Sequence, residues 1–253
     1  MSAAVRAILL DARELQSIFL RTLYWSFRGK REPGDVARQC YEVGNRSLFF
    51  LMVTMGFIGM ILVFQSGLQA LRVVPDLTML GATFLEALVR DLGPSIGALM
   101  LATRVGAGIA AEIGSMVVTE QVDALRMCGV DPVDFLVVPR FVASMLMTTT
   151  LILLAGLVSF AAGGATAWFV FDVQPQTYMN LSLLDRGDVI IGLSKCLGYG
   201  AAIPIVSAWC GLTTRGGSEG VGAATTSAVV NSSLAVIFLD LLFSGAGFVI
   251  FDG

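Results

Sequence analysis

The sequence predicts an all-α polytopic membrane protein. It should have an N-terminal interfacial amphipathic helix, five transmembrane helices, and a cytoplasmic helix between spans 2 and 3. Three observations carry this. Charged residues make up only 14% of the 253 residues and hydrophobic residues 56%, whereas soluble domains carry about 25% charge. Charge-free runs cover residues 47–71 and 141–171, each longer than the roughly 20 residues that cross a bilayer. Of the sixteen basic residues, twelve fall in segments on one side of the predicted spans and two on the other. Positive residues collect on the cytoplasmic side, so the N-terminus should lie inside and the C-terminus outside.

The elements follow in order. Residues 1–46 hold eight of the sixteen basic residues. Arg6, Arg13, Arg21 and Arg28 fall within an arc of about 80° on a helical wheel, with Ile8, Leu15, Phe19, Leu23 and Phe27 on the other side. That pattern suits a helix lying in the membrane surface. Pro33 and Gly34 should break it, and a short second helix over 36–44 should lead into span 1. The spans are expected near 47–71, 79–103, 141–171, 189–212 and 223–251. Pro94 should kink span 2, and Gly163-Gly164 could break or tilt span 3. The early chain has no apolar core of the signal-peptide kind, so no cleavable signal is expected. The elbow region (1–46) and the five-span membrane region (47–253) form the expected organisation.

Residues 104–139 are a polar island between spans 2 and 3. They hold Glu112, Glu120, Asp123, Asp131 and Asp134. Met116, Glu120, Asp123 and Met127 recur at spacings that share one helix face, with Ile113, Val117, Ala124 and Val130 left to pack inward. This reads either as a helix shown to a cytoplasmic partner or as an ordinary solvated loop helix.

No enzyme is expected. The chain has no histidine, which removes the commonest general base and metal ligand. The four cysteines form no C-x-x-C pair and read as free thiols. Gly216-Gly217-Ser218-Glu219-Gly220 lacks the lysine of a phosphate loop, so nucleotide energy would have to come from another subunit. Charges inside spans cost about 2.5–3.5 kcal/mol unless paired. Glu86, Arg90 and Asp91 are therefore candidates either to line a pocket or to form a structural ion pair that locks the Pro94 kink, with Gln65 a lesser pocket candidate, and Lys195 and Asp240 should pair or meet water. A secondary transporter of a hydrophobic substrate is the alternative, but it would usually show an internal repeat, and none is evident.

Several motifs resemble the MlaE/YrbE permease family. In the polar island they are Glu112-Ile113-Gly114, Glu120, Asp123-Ala124-Leu125 and Gly129-Val130-Asp131-Pro132. Elsewhere they are Gly56-Phe57-Ile58-Gly59-Met60, Arg90-Asp91-Leu92-Gly93-Pro94, Arg104-Val105-Gly106-Ala107, Pro139-Arg140 and Ser232-Ser233-Leu234-Ala235-Val236 with Asp240. The family often has Glu where Asp91 stands. The resemblance covers about residues 36–251. It implies the membrane subunit of an ABC transporter that moves phospholipid or a related lipid between the bacterial inner membrane and the periplasm. It implies a coupling helix with Glu112, Gly114, Glu120, Asp123 and Leu125 meeting the ATPase. The implied partners are a second copy of the chain, an ABC ATPase subunit (MlaF-like), a hexameric MCE-domain protein (MlaD-like) and a small STAS-type subunit (MlaB-like). ATP and Mg would be used by the ATPase, and this chain itself would bind no cofactor, metal or nucleic acid.

Overall fold

The computed structural model describes residues 3–28, 33–73 and 77–252, and among these it is helical with no strand. The helices are α1 (Ala3–Arg28), α2 (Pro33–Val73), α3 (Leu80–Val118), α4 (Gln121–Met127), α5 (Val133–Phe171), α6 (Pro175–Tyr178), α7 (Arg186–Leu212) and α8 (Gly217–Phe251). Five of them, α2, α3, α5, α7 and α8, are long and apolar enough to cross a membrane. This is a multi-pass membrane protein.

A spanning helix satisfies its own backbone in lipid, so helices here run on wherever nothing forces a stop. That explains three departures from the expected boundaries. The short helix over 36–44 and span 1 are one helix, α2, because no breaker lies between Gly34 and Arg72. Span 2 does not end near Thr103 but continues as α3 to Val118. Gly163-Gly164 does not interrupt α5. The two glycines serve packing instead: a Cβ on Gly163 would sit 2.7 Å from Val63 Cγ2. Pro94 is absorbed without a break by a π turn at Leu88–Leu92 just before it. The wider turn takes up the extra residue and relieves the clash that proline makes with the preceding turn.

The polar island is not one helix. Thr119 closes α3, and Glu120 adopts a left-handed backbone with φ 60° before α4 begins. Met116 therefore does not share a continuous face with Glu120, Asp123 and Met127. Ala124 and Val130 are exposed, and Val122 is the residue of α4 that packs inward.

The core lies among α2, α3, α5 and α7. Leu51, Met55, Val63, Leu101, Ile113, Val137, Leu151 and Ile203 are fully or almost fully buried. α2 runs along α5, and at Gly59 the two backbones approach so closely that a Cβ would collide with the Ser159 carbonyl. Outward-facing Phe49, Phe57, Leu157, Phe169 and Leu241 are exposed, as helices surrounded by lipid require. α1 packs on one end of the bundle through Leu15 and Ile18 against Phe141 and Ile205, with Thr22 buried. Phe19 and Leu23 of the expected apolar face remain exposed. The side chains of Arg6, Ile8 and Phe27, residues 29–32, and the outer turn at 74–76 lie outside the described residues. Near the opposite end, Tyr178 of α6 caps the bundle and donates to the Phe160 carbonyl at 3.3 Å. Burial pushes its phenol above the ordinary range, which keeps the donor protonated.

Candidate functional site

Three helices bring ionisable groups together away from the α1 end. Lys195 on α7 is wholly buried. Its Nζ meets the Asp91 carboxylate of α3, Asp240 Oδ1 of α8 at 2.9 Å and Ser244 Oγ at 2.8 Å. Asp240 Oδ1 also accepts from Ser95 Oγ at 2.8 Å and Tyr199 Oη at 2.7 Å. Ser244 Oγ donates to Asp91 Oδ1 at 3.3 Å. Each helix supplies two of these groups four residues apart: Asp91 and Ser95, Lys195 and Tyr199, Asp240 and Ser244. That spacing puts both on one helix face. The expected pairing of Lys195 with Asp240 is present, and Asp91 joins it.

Arg90 does not accompany Asp91, because adjacent residues on a helix point about 100° apart. Its Nη1 meets Asp188 Oδ1 at 3.1 Å. Asp188 was not among the sequence candidates. Its signal was local: Asp188 and Asp185 form the capping box that starts α7. Arg90, Glu86, Asp185, Arg186 and Asp188 line a polar cavity of about 400 Å³. Directly beside it, an apolar cavity of about 460 Å³ lies between α3, α5 and α7. Leu88, Val89, Pro94, Gly156, Phe160 and Val189 are among its walls. The polar and apolar cavities share the helix turns around residues 85–90 and 187–189. Gln65 is exposed on α2 and lines neither.

The α1 end holds the other expected group. Arg140 at the start of span 3 is buried, with Nη2 2.8 Å from Glu112 Oε1 and Nη1 donating to the Leu136 carbonyl at 2.6 Å. Glu112 is thus tied to its own bundle. Gly114 is buried against the α7–α8 turn, where a Cβ would lie 2.9 Å from Thr214 Oγ1. Glu120 and Asp123 are exposed, Asp123 beside Arg126 at 3.0 Å. Leu125 is half-buried and Met127 is exposed. Asp131 ties this region to α1 through Arg21 at 2.5 Å. The structure therefore separates the five expected coupling residues. Glu120, Asp123 and Leu125 sit on or next to the exposed α4, while Gly114 is buried in the bundle and Glu112 is half-buried beside Arg140.

Residues 36–246 match the family model of the permease MlaE. The chain belongs to the MlaE permease family. A probable ABC transporter permease of Synechocystis is 38% identical over 91% of this chain and 88% of its own length. Another from Rickettsia felis is 37% identical over 82% of this chain and 80% of its own. The Arabidopsis chloroplast protein TRIGALACTOSYLDIACYLGLYCEROL 1 is 34% identical over 87% of this chain and 65% of its own. The chain is accordingly a membrane permease subunit of the ABC transporter type, a kind of subunit that works with a partner ATPase.

Proposed function

We propose that this permease moves phospholipid or a related lipid between the bacterial inner membrane and the periplasm. A separate ATPase subunit that uses ATP and Mg supplies the energy. One observation carries the reading: the charged cavity at Arg90 and Asp188 abuts the apolar cavity between α3, α5 and α7. A lipid needs that pairing, with a polar site for the headgroup and an apolar one for part of a chain. The name of the Arabidopsis relative is that of a galactolipid, which agrees with a lipid cargo. In this reading the N-terminus is cytoplasmic. Glu120, Asp123 and Leu125 on α4 dock the ATPase, and Glu112 relays the motion to span 3 through Arg140. A second copy of the chain completes the membrane part. A hexameric MCE-domain protein meets the far end, and a small STAS-type subunit joins on the cytoplasmic side.

Gly156 offers the test, because nothing lies within 4 Å of a Cβ placed there. Leu at this position should fill the apolar cavity without disturbing the packing behind it. Gly156→Leu is expected to co-purify with its ATPase normally but to lose bound phospholipid by mass spectrometry, along with ATP-driven lipid transfer. A fully occupied, fully active Gly156→Leu complex would sink the proposal.

A further inference from the structure

A third cavity, of about 510 Å³, lies at the α1 end between α2, α3 and the start of α5. Arg46, Arg104, Arg140, Glu42, Ser47 and Gly108 are among its walls. The three arginines occupy one level of the molecule. Arg46 immediately precedes the charge-free run 47–71, Arg140 immediately precedes the run 141–171, and Arg104 ends the charge-free stretch 92–103. Each marks the same membrane edge of its own span.

The charges do not cancel. Glu112 is engaged by Arg140, and Glu42 has Arg38 at 3.8 Å. Among the described residues Arg46 and Arg104 have no carboxylate partner, and both are exposed to the cavity mouth. Arg140 is only 5% exposed, and its Nε is buried with no hydrogen-bond partner. A buried guanidinium donor is rarely left unmatched. Gly108 contributes no side chain, and nothing lies within 4 Å of the place a Cβ would take, so the middle of the cavity is open.

We propose that this cavity binds the phosphate of a membrane phospholipid from the leaflet on the α1 side. Arg46 and Arg104 grip the phosphate oxygens, and Arg140 adds positive charge from behind. Guanidinium forks match phosphate oxygens geometrically, and the charge strengthens the hydrogen bonds. A free phosphate would satisfy the same chemistry. The level of the site favours the lipid, because the phosphates of a bilayer sit just beyond the hydrocarbon edge that these arginines mark. Exposed Phe49 and Phe50, directly below Arg46 on α2, give its chains an apolar surface to follow. This site is separate from the cavity beside Arg90 and does not depend on the transport reading.

The test uses the full-length chain, purified in detergent, with lipid occupancy read by native mass spectrometry. Phosphatidylglycerol, diacylglycerol and inorganic phosphate are the probes. Measurements are made in the wild type and in the Gly156→Leu background, so that occupancy of the far cavity is told apart from occupancy here. Phosphatidylglycerol should bind in preference to diacylglycerol in both backgrounds. Arg46→Gln with Arg104→Gln should lower that occupancy by about tenfold or more, the scale of losing charge-assisted hydrogen bonds. Arg72→Gln, at the other end of α2, should leave it unchanged. If the double variant does not fold, either single Gln variant carries the same test with a smaller loss. Unchanged phosphatidylglycerol occupancy in the folded variants overturns the site. Equal binding of diacylglycerol overturns headgroup recognition. Displacement of the lipid by an equal concentration of inorganic phosphate assigns the cavity to free anions and overturns the lipid source.

Discussion

Lys195 is wholly buried and faces two carboxylates. Removing it leaves Asp91 and Asp240 without their shared cation. Losing one partner of a fully buried ion pair costs about 3–5 kcal/mol, and the partial exposure of both carboxylates makes the loss here smaller. Lys195→Met should therefore lower the melting temperature of the purified protein. Adding Asp91→Asn and Asp240→Asn should restore much of the loss, because the uncompensated charge is then gone. Gly59 carries a different constraint. A Cβ there collides with the Ser159 backbone, which cannot swing aside as a side chain can. Gly59→Ala should cost about 1–3 kcal/mol, the usual penalty of overpacking, visible as a fall in melting temperature in detergent. Neither prediction could be drawn from residue type alone. Each rests on what stands opposite the residue in space.

At the scale of elements, the break between α3 and α4 is the feature most open to experiment. Glu120 holds a left-handed backbone at φ 60°, a conformation that costs a residue with a Cβ about 1–2 kcal/mol. Glu120→Gly should keep the fold and leave the melting temperature equal or slightly raised. Glu120→Val, β-branched at the same φ, should lower it. Glu120→Asn keeps a residue that tolerates this backbone while removing the charge. If the carboxylate meets the ATPase, Glu120→Asn should retain its melting temperature yet pull down less ATPase, which separates a contact role from a folding role. α1 is tied to the same region through Arg21 and Asp131. The segment that follows α4 and α1 are thus held together.

For the whole molecule the cysteines report orientation. All four are free; Cys128 is exposed at the α1 end, and Cys196 and Cys210 are buried. In a Cys40→Ser background, a membrane-impermeant maleimide should label Cys128 in inverted inner-membrane vesicles and not in intact spheroplasts. The reverse pattern would turn the molecule over in the membrane. The apolar exterior, the two end-facing polar clusters and the cavities at both ends form one arrangement. Lipid surrounds the middle of the bundle, and chemistry is confined to its ends and to one buried network.

Some of this was legible in the sequence, and the physical reason is clear in each case. The five spans, the class and the uneven basic residues are one-dimensional signals, because a bilayer demands long apolar runs and sorts charge by side. The cost of leaving a charge alone in lipid required Lys195 and Asp240 to pair or to meet water, and the structure decided for the pair. Helix phase, continuity and partnership were decided in three dimensions. Arg90 and Asp91 are neighbours in sequence but turn to different faces, so one meets Asp188 and the other Lys195. The one-face pattern of Met116, Glu120, Asp123 and Met127 failed at a single left-handed residue. Asp188 was not singled out in the sequence, because its partner Arg90 is 98 residues away. The sequence by itself determined that this chain is a five-span helical permease with a polar segment between spans 2 and 3. The tertiary structure alone decided which charges face one another and which cavities they line, because those depend on helices packed from distant parts of the chain.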